Sequence, residues 1–173
     1  HRDLHSFPTR RSSDLADIND ITISAKNLNY NENQQELVTV QGINEKTDTV
    51  SYTVNGKEVL VESGKVPTGE AIGNYIVKLK VDRGSNYNVF EKEVKTTIDK
   101  GIIDLDGLLV KGLESNYTGK AQQAVDVTGK SEKYTLKYKL GNDGEWSDDI
   151  PTVTNAGSYT VFVKATKNLY SDQ

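Results

Sequence analysis

The 173-residue chain carries 21 Lys+Arg against 25 Asp+Glu, a formal net charge of −4, with no Cys, no Met and only two His, His1 and His5. This excludes disulfides, thiolate metal sites and Cys nucleophiles, and leaves no His from residue 6 onward for a triad, a metal site or a general base. The acidic balance argues against nucleic acid or an anionic membrane as partner, and no apolar run approaches the ~20 residues of a spanning helix.

His1–Leu15, HRDLHSFPTRRSSDL, differs in composition from the rest of the chain. It holds three Arg and both His, while from Ala16 onward the only Arg is Arg83. Its His5–Leu15 portion resembles the conceptual translation of a short-read sequencing adapter. That implies an artefactual leader, disordered and packed on neither domain, rather than a basic targeting arm or transit peptide. It contains no apolar core of the kind a secretory signal needs. Without it the chain has 18 Lys+Arg and 23 Asp+Glu, a net charge of −5. With no initiator Met, the sequence reads as a fragment of a longer protein whose signal peptide would lie upstream.

From Ala16 onward every element reads as a strand. Ile21, Ile23 and Ala25 suggest an opening strand. Val50, Tyr52 and Val54 lead into Asn55-Gly56, residues that tolerate the positive φ angles of a tight hairpin. Val66-Pro67-Thr68 fits the approach to a strand, because Pro cannot donate to a ladder. Tyr75, Val77, Leu79 and Val81 alternate with polar residues, giving one face on a core and one in solvent. Phe90, Val94 and Ile98 suggest a closing strand. Tyr134, Leu136, Tyr138 and Leu140 then alternate with Lys and Thr, Gly141-Asn142-Asp143-Gly144 marks a turn, and Tyr159, Val161, Val163 and Ala165 alternate again. No dozen residues show a 3.6 period.

These elements come twice. Asn29-Tyr30 and Asn116-Tyr117 lie 87 residues apart, as do Gly42 and Gly129. Tyr52 corresponds to Tyr138 at an offset of 86, Pro67 to Pro151 and Tyr75 to Tyr159 at 84, and Tyr87 to Tyr170 at 83. The drift is what small loop deletions produce. Short strands about ten residues apart predict an all-β chain of two sandwiches of ~80 residues. The first covers 17–99 and the second 100–173, with the pairs Tyr52/Tyr138 and Tyr75/Tyr159 inward. The counterpart of the Phe90–Ile98 strand would begin near residue 173, so the second sandwich is expected to lack it and to leave Val161 and Val163 partly uncovered.

Asn116-Tyr117-Thr118-Gly119-Lys120, Tyr134-Thr135-Leu136-Lys137-Tyr138 and Asn155-Ala156-Gly157-Ser158-Tyr159-Thr160-Val161 resemble the immunoglobulin-like tandem repeats of bacterial surface proteins, MBG-type repeats in particular. The resemblance spans 17–173 as two units. The first departs from the pattern at Tyr30-Asn31-Glu32-Asn33 and Ala71-Ile72-Gly73. It implies tandem immunoglobulin-like sandwiches in a secreted protein, cell-surface or cell-wall attached, of a Gram-positive bacterium. It implies a stalk or adhesive role with no shared catalytic residues.

Several residues are candidates for chemistry. Asp104-x-Asp106-Gly107 resembles part of a calcium loop, but the twelfth position, which requires a bidentate Glu, is Ser115; an acidic turn is the plainer reading. Asp143, Glu145, Asp148 and Asp149 crowd one hairpin and suit a solvated acidic loop better than a calcium site. The same carboxylates are a weak candidate pair for glycoside hydrolysis, which needs a deep cleft. Trp146, the only Trp, is read as a cap on the core; in a sugar-binding module Tyr134 and Trp146 would be two members of an exposed aromatic row. Asn116-Tyr117-Thr118 is a formal glycosylation sequon without meaning in a bacterial protein. No catalytic, cofactor-binding or metal-ligating residue is assigned.

The expected function is therefore a non-enzymatic structural or adhesive module, extracellular, with neighbouring repeats of the same chain and surface glycans or host matrix protein as partners. The alternative is a carbohydrate-binding or accessory domain of a large secreted glycan-active enzyme.

Overall fold

The structure, a computed structural model, describes residues 15–173; the leader expected over 1–15 lies outside the described residues except for Leu15, which is half-buried. The described chain is all-β and contains no helix. It divides into two compact units between Asp99 and Lys100.

The first unit contains β1 (Thr22–Ala25), β2 (Asn27–Asn29), β3 (Gln35–Glu36), β4 (Val38–Gln41), β5 (Thr49–Val54), β6 (Lys57–Val59), β7 (Thr68–Gly69), β8 (Gly73–Asp82) and β9 (Phe90–Asp99). Five of them form one sheet in the order β2-β9-β8-β5-β6, beside the pairs β1-β4 and β3-β7. The period-two alternation turns Tyr52, Val77, Leu79, Val81 and Ile98 inward, where they share a core with Ile21 and Ile23 before and on β1 and with Leu37 and Val38. Each such buried aliphatic contributes about 1.5–3 kcal/mol. The Asn55-Gly56 turn has both residues at positive φ, 51° and 77°, as a two-residue hairpin requires.

One corner of this unit is held by charge. Arg83 Nη1 donates to both Asp20 carboxylate oxygens at 2.8 and 3.0 Å, its Nε and Nη2 donate to Asp48 at 2.8 and 3.0 Å, and Nη2 also reaches the Gly42 carbonyl. The Asp48 side chain is fully buried. The Arg83 hydrogen bond holds its carboxyl down at about 2, outweighing the burial that pushes it up. The same guanidinium lowers Asp20.

The second unit contains β10 (Gly101–Ile102), β11 (Leu109–Gly112), β12 (Gln122–Gln123), β13 (Val125–Thr128), β14 (Thr135–Leu140), β15 (Thr152–Val153), β16 (Val161–Thr166) and β17 (Tyr170–Ser171). They pair as β10-β17, β11-β13, β12-β15 and β14-β16. Its core gathers Ile103, Tyr134, Leu136, Tyr138 and Ala165.

The two units repeat one another bond by bond. Pro67 O accepts from Leu37 N as Pro151 O accepts from Ala124 N. Gln35 and Gln122 each donate through Nε2 to a backbone oxygen six residues earlier, at 3.0 Å in both units. The hydroxyls of Tyr75 and Tyr159 each donate to the carbonyl four residues upstream, at 2.6 and 2.9 Å. Gly42 and Gly129 both have positive φ, and a Cβ at either would collide with a backbone carbonyl, that of Asp20 or of Gly107. Each unit also ties its beginning to its end in parallel: Ala16 bridges Tyr87 and β2 runs along β9 in the first, and β10 runs along β17 in the second.

Two differences stand out. Among the described residues β16 pairs only with β14, whereas its counterpart β8 pairs with both β5 and β9. Val161 and Val163 are accordingly half-buried where Val77 and Leu79 are fully buried. The expectation that Tyr159 points inward is corrected: Tyr52 and Tyr138 are both buried, but Tyr159 is 43% exposed while Tyr75 is half-buried. Tyr75 lies against Gly69, where a Cβ would come within 3.0 Å of its ring. The second unit has Val153 at that position, where by analogy with Gly69 a Cβ leaves no room for a ring packed as Tyr75 is. Residues 157–160 also have no strand beside them to pair with, unlike Gly73–Ile76 on β9.

Candidate functional site

The outward faces of the two equivalent sheets carry different chemistry. On β14 and β16, alternation turns Lys137, Lys139, Phe162 and Lys164 away from the core, with Lys139 directly opposite Phe162 and Lys137 opposite Lys164. The chain after the Gly141–Gly144 turn returns alongside β14 through the Tyr138–Ser147 bridge. This sets Trp146 beside Lys139 on the same outward face. Trp146 is 39% exposed and Phe162 37%. The Lys139 ammonium lies 5.5 Å from the Trp146 ring centre and 4.9 Å from that of Phe162, and the Lys164 ammonium lies 4.7 Å from Trp146.

Charge around the rings is partly balanced. Lys137 pairs with Asp148 at 2.9 Å and Lys164 with Asp172 at 3.1 Å, which relieves the repulsion of two lysines directly opposite one another. Lys139 donates to the Asn142 carbonyl at 3.0 Å, and among the described residues no carboxylate lies within ion-pair distance of it.

In the first unit the three corresponding positions are polar, although Ile76 stands exposed further along the same face of β8. Thr53 stands where Lys139 does, Glu58 where Trp146 does, and Lys78 where Phe162 does. Lys78 and Lys80 converge on Glu91 at 2.6 and 3.9 Å, and Lys78 lowers the Glu91 carboxyl.

The structure separates the residues singled out from sequence. Trp146 does not cap the core; the register of the returning strand places it outside. Tyr134, its proposed partner in an aromatic row, is buried, so the two do not share a surface. The aromatic beside Trp146 is Phe162. Its position between the inward Val161 and Val163 marked it as outward, but nothing local showed that Trp146 would meet it. Asp104 accepts from the Asp106 backbone N–H at 2.9 Å in a local turn. Of the hairpin carboxylates, Asp148 is taken by Lys137 and Asp149 N–H donates to Ser147 Oγ. Among the described residues no three Asp, Glu, His or Cys converge as a metal site would require. A cleft of about 460 Å³ lies in the first unit between Val40, Tyr52 and the Leu60–Val66 loop. Its lining mixes residues packed on the core, such as Val40, Ile43 and Val50, with polar ones, and its Glu45 accepts from Ser63 Oγ at 3.2 Å.

No helix of the described residues is long and apolar enough to cross a membrane. No family model and no curated protein matches the chain. Among solved structures, one similar to it is that of the Bacteroides ovatus mixed-linkage glucan utilization locus protein SGBP-B in complex with mixed-linkage heptasaccharide. It is 18% identical with a TM-score of 0.34, over 99% of this chain and 44% of that one. This chain thus spans less than half the length of that protein. A likeness of this degree says nothing of what this chain binds, so the site is read from its own residues.

Proposed function

We propose that the chain is a non-catalytic repeat module, a stalk or adhesive segment of an extracellular bacterial surface protein, related to the MBG-type immunoglobulin-like repeats. The observation that supports this reading is the bond-by-bond repetition of one framework in two successive units. The Pro67/Pro151, Gln35/Gln122, Tyr75/Tyr159 and Gly42/Gly129 pairs all hold the same backbone positions. A chain that repeats its scaffold while changing its surfaces gains length with each copy and needs no shared active site. The sequence agrees, since from residue 6 onward it has neither His nor Cys.

The reading is tested by concatenating residues 16–173 in two, four and six copies and measuring end-to-end distance by small-angle scattering. A stalk lengthens by a constant increment per copy. Concatemers that grow as the cube root of mass, collapsing into a globule, would overturn it.

A further inference from the structure

We propose that the outward face of β14 and β16, where Trp146 and Phe162 flank Lys139, is a stacking site for the pyranose rings of a glycan. The inference is independent of the stalk reading, and either can fail without the other.

The first unit supplies the control. It builds the same antiparallel strand pair, β5 with β8 as β14 with β16, in the same register and with the same buried Tyr52/Tyr138 pair, while placing Thr53, Glu58 and Lys78 where the second unit has Lys139, Trp146 and Phe162. The fold therefore does not need aromatic rings at these positions. Both rings remain more than one-third exposed and neither belongs to the second unit's core. What they offer is flat apolar surface ringed by hydrogen-bond donors.

That combination matches a sugar. The axial C–H groups of a pyranose give it an apolar face of about the size of one aromatic ring, and its hydroxyls lie at the rim. With a sugar over Trp146, the ammonium groups of Lys139 and Lys164 lie within reach of that rim. Their present positions over the rings are cation–π contacts of about twofold to fivefold in equilibrium terms at an exposed site. To swing to the ring edge when the face is covered, Lys139 also exchanges its bond to the Asn142 carbonyl, and Lys164 its exposed pair with Asp172, for the sugar hydroxyls. A protein partner is less suited, because two half-exposed rings fall far short of the ~800 Å² per side of a stable interface. Lys139, with no carboxylate of its own among the described residues, adds a charge contact if the sugar is a uronate.

Trp146 is the only Trp, so fluorescence excited at the red edge of the Trp band, where the nine Tyr do not absorb, reports this face alone. The probes are a neutral β-1,4-glucose hexamer and a galacturonic acid hexamer. At least one should shift the Trp146 emission saturably. F162K, which installs the residue that the first unit carries there, should weaken that response about tenfold, the scale of one lost ring contact, with an unchanged melting curve. K139T should remove the response to the uronate while sparing any response to the neutral hexamer. W146A should abolish binding by calorimetry. Two results would overturn the proposal: no saturable fluorescence change and no heat with either hexamer, or affinity unaltered in F162K and W146A.

Discussion

Arg83, Asp20 and Asp48 of the first unit have as counterparts Lys167, Gly107 and Tyr134 in the second. Where the first closes its corner with a guanidinium forked across two carboxylates, the second buries a phenol and lays Lys167 over the Tyr170 ring at 4.1 Å. The same backbone thus accepts two solutions to one gap, and they fail differently. The charged one is complete only while all three members are present, because Asp48 is fully buried and cannot be left unpaired. The aromatic one strands no charge, but it leaves the Tyr134 hydroxyl buried without a hydrogen-bond partner among the described residues.

The contrast is sharpest when the units are separated. Residues 17–99 expressed alone are expected to melt cooperatively. Residues 100–173 alone are expected to unfold without a sharp transition or to self-associate, since among the described residues the far edge of β16 is bonded only at Ala165, to Gln173, and Val161 and Val163 are half-covered. A sharp melt of 100–173 that does not depend on concentration would show that the β14-β16 sheet is sufficient by itself.

Within the intact chain, Arg83→Leu should cost the first unit about 3–5 kcal/mol by stranding Asp48. Trp146 follows only the second unit, so the urea midpoint by far-ultraviolet dichroism should fall while the fluorescence midpoint stays in place. Equal movement of both would show that the units unfold as one.

Acid offers a milder version. The Asp48 carboxyl titrates near 2 in the folded state and near 4 in the unfolded one. Its contribution is therefore fully present above pH ~4 and is lost as pH falls from there toward 2. About 1–2 kcal/mol of first-unit stability should disappear in that window, allowing for solvent screening at the corner. The effect is read by urea melts at pH 5 and pH 2.5, and Arg83→Leu should abolish it.

The smallest effect concerns the paired tyrosines. Tyr75→Phe should cost about 0.5–1.5 kcal/mol, the worth of one hydrogen bond. Tyr159→Phe should cost less, because its ring is open to water that can replace the lost bond. Equal costs would mean that Tyr159 is better enclosed than its exposure indicates.

Much of this was legible in the chain because period two is a local property. The inward sets of β5, β8, β14 and β16, the Asn55-Gly56 hairpin and the β9 strand follow from residues within ten positions of each other. The repeat was legible because Pro67/Pro151 and Gly42/Gly129 sit where only particular residues fit. What was not legible depends on register between distant segments. Arg83 stands out in composition, but its partners Asp20 and Asp48 lie 63 and 35 residues away. Trp146 comes to share Lys139 with Phe162 only because a hairpin return aligns Ser147 with Tyr138. The exposure of Tyr159 goes with two features that alternation does not encode: Val153 stands where the first unit has Gly69, and among the described residues no strand pairs with 157–160.

The parallel bridges that join the start of each unit to its end also bear on how the chain responds to force. When a chain is pulled from both ends, neighbouring parallel strands at its two termini are drawn past each other along their length. Their hydrogen bonds are then loaded together instead of being peeled one at a time. In the first unit Asn27–Asn29 against Thr97–Asp99 forms such a clamp, reinforced by Ala16 against Tyr87. In the second unit Gly101–Ile102 against Tyr170–Ser171 forms a shorter one. Rupture under load is governed by the unfolding rate and not by equilibrium stability. In a stretched chain each clamp should therefore set the load at which its own unit opens.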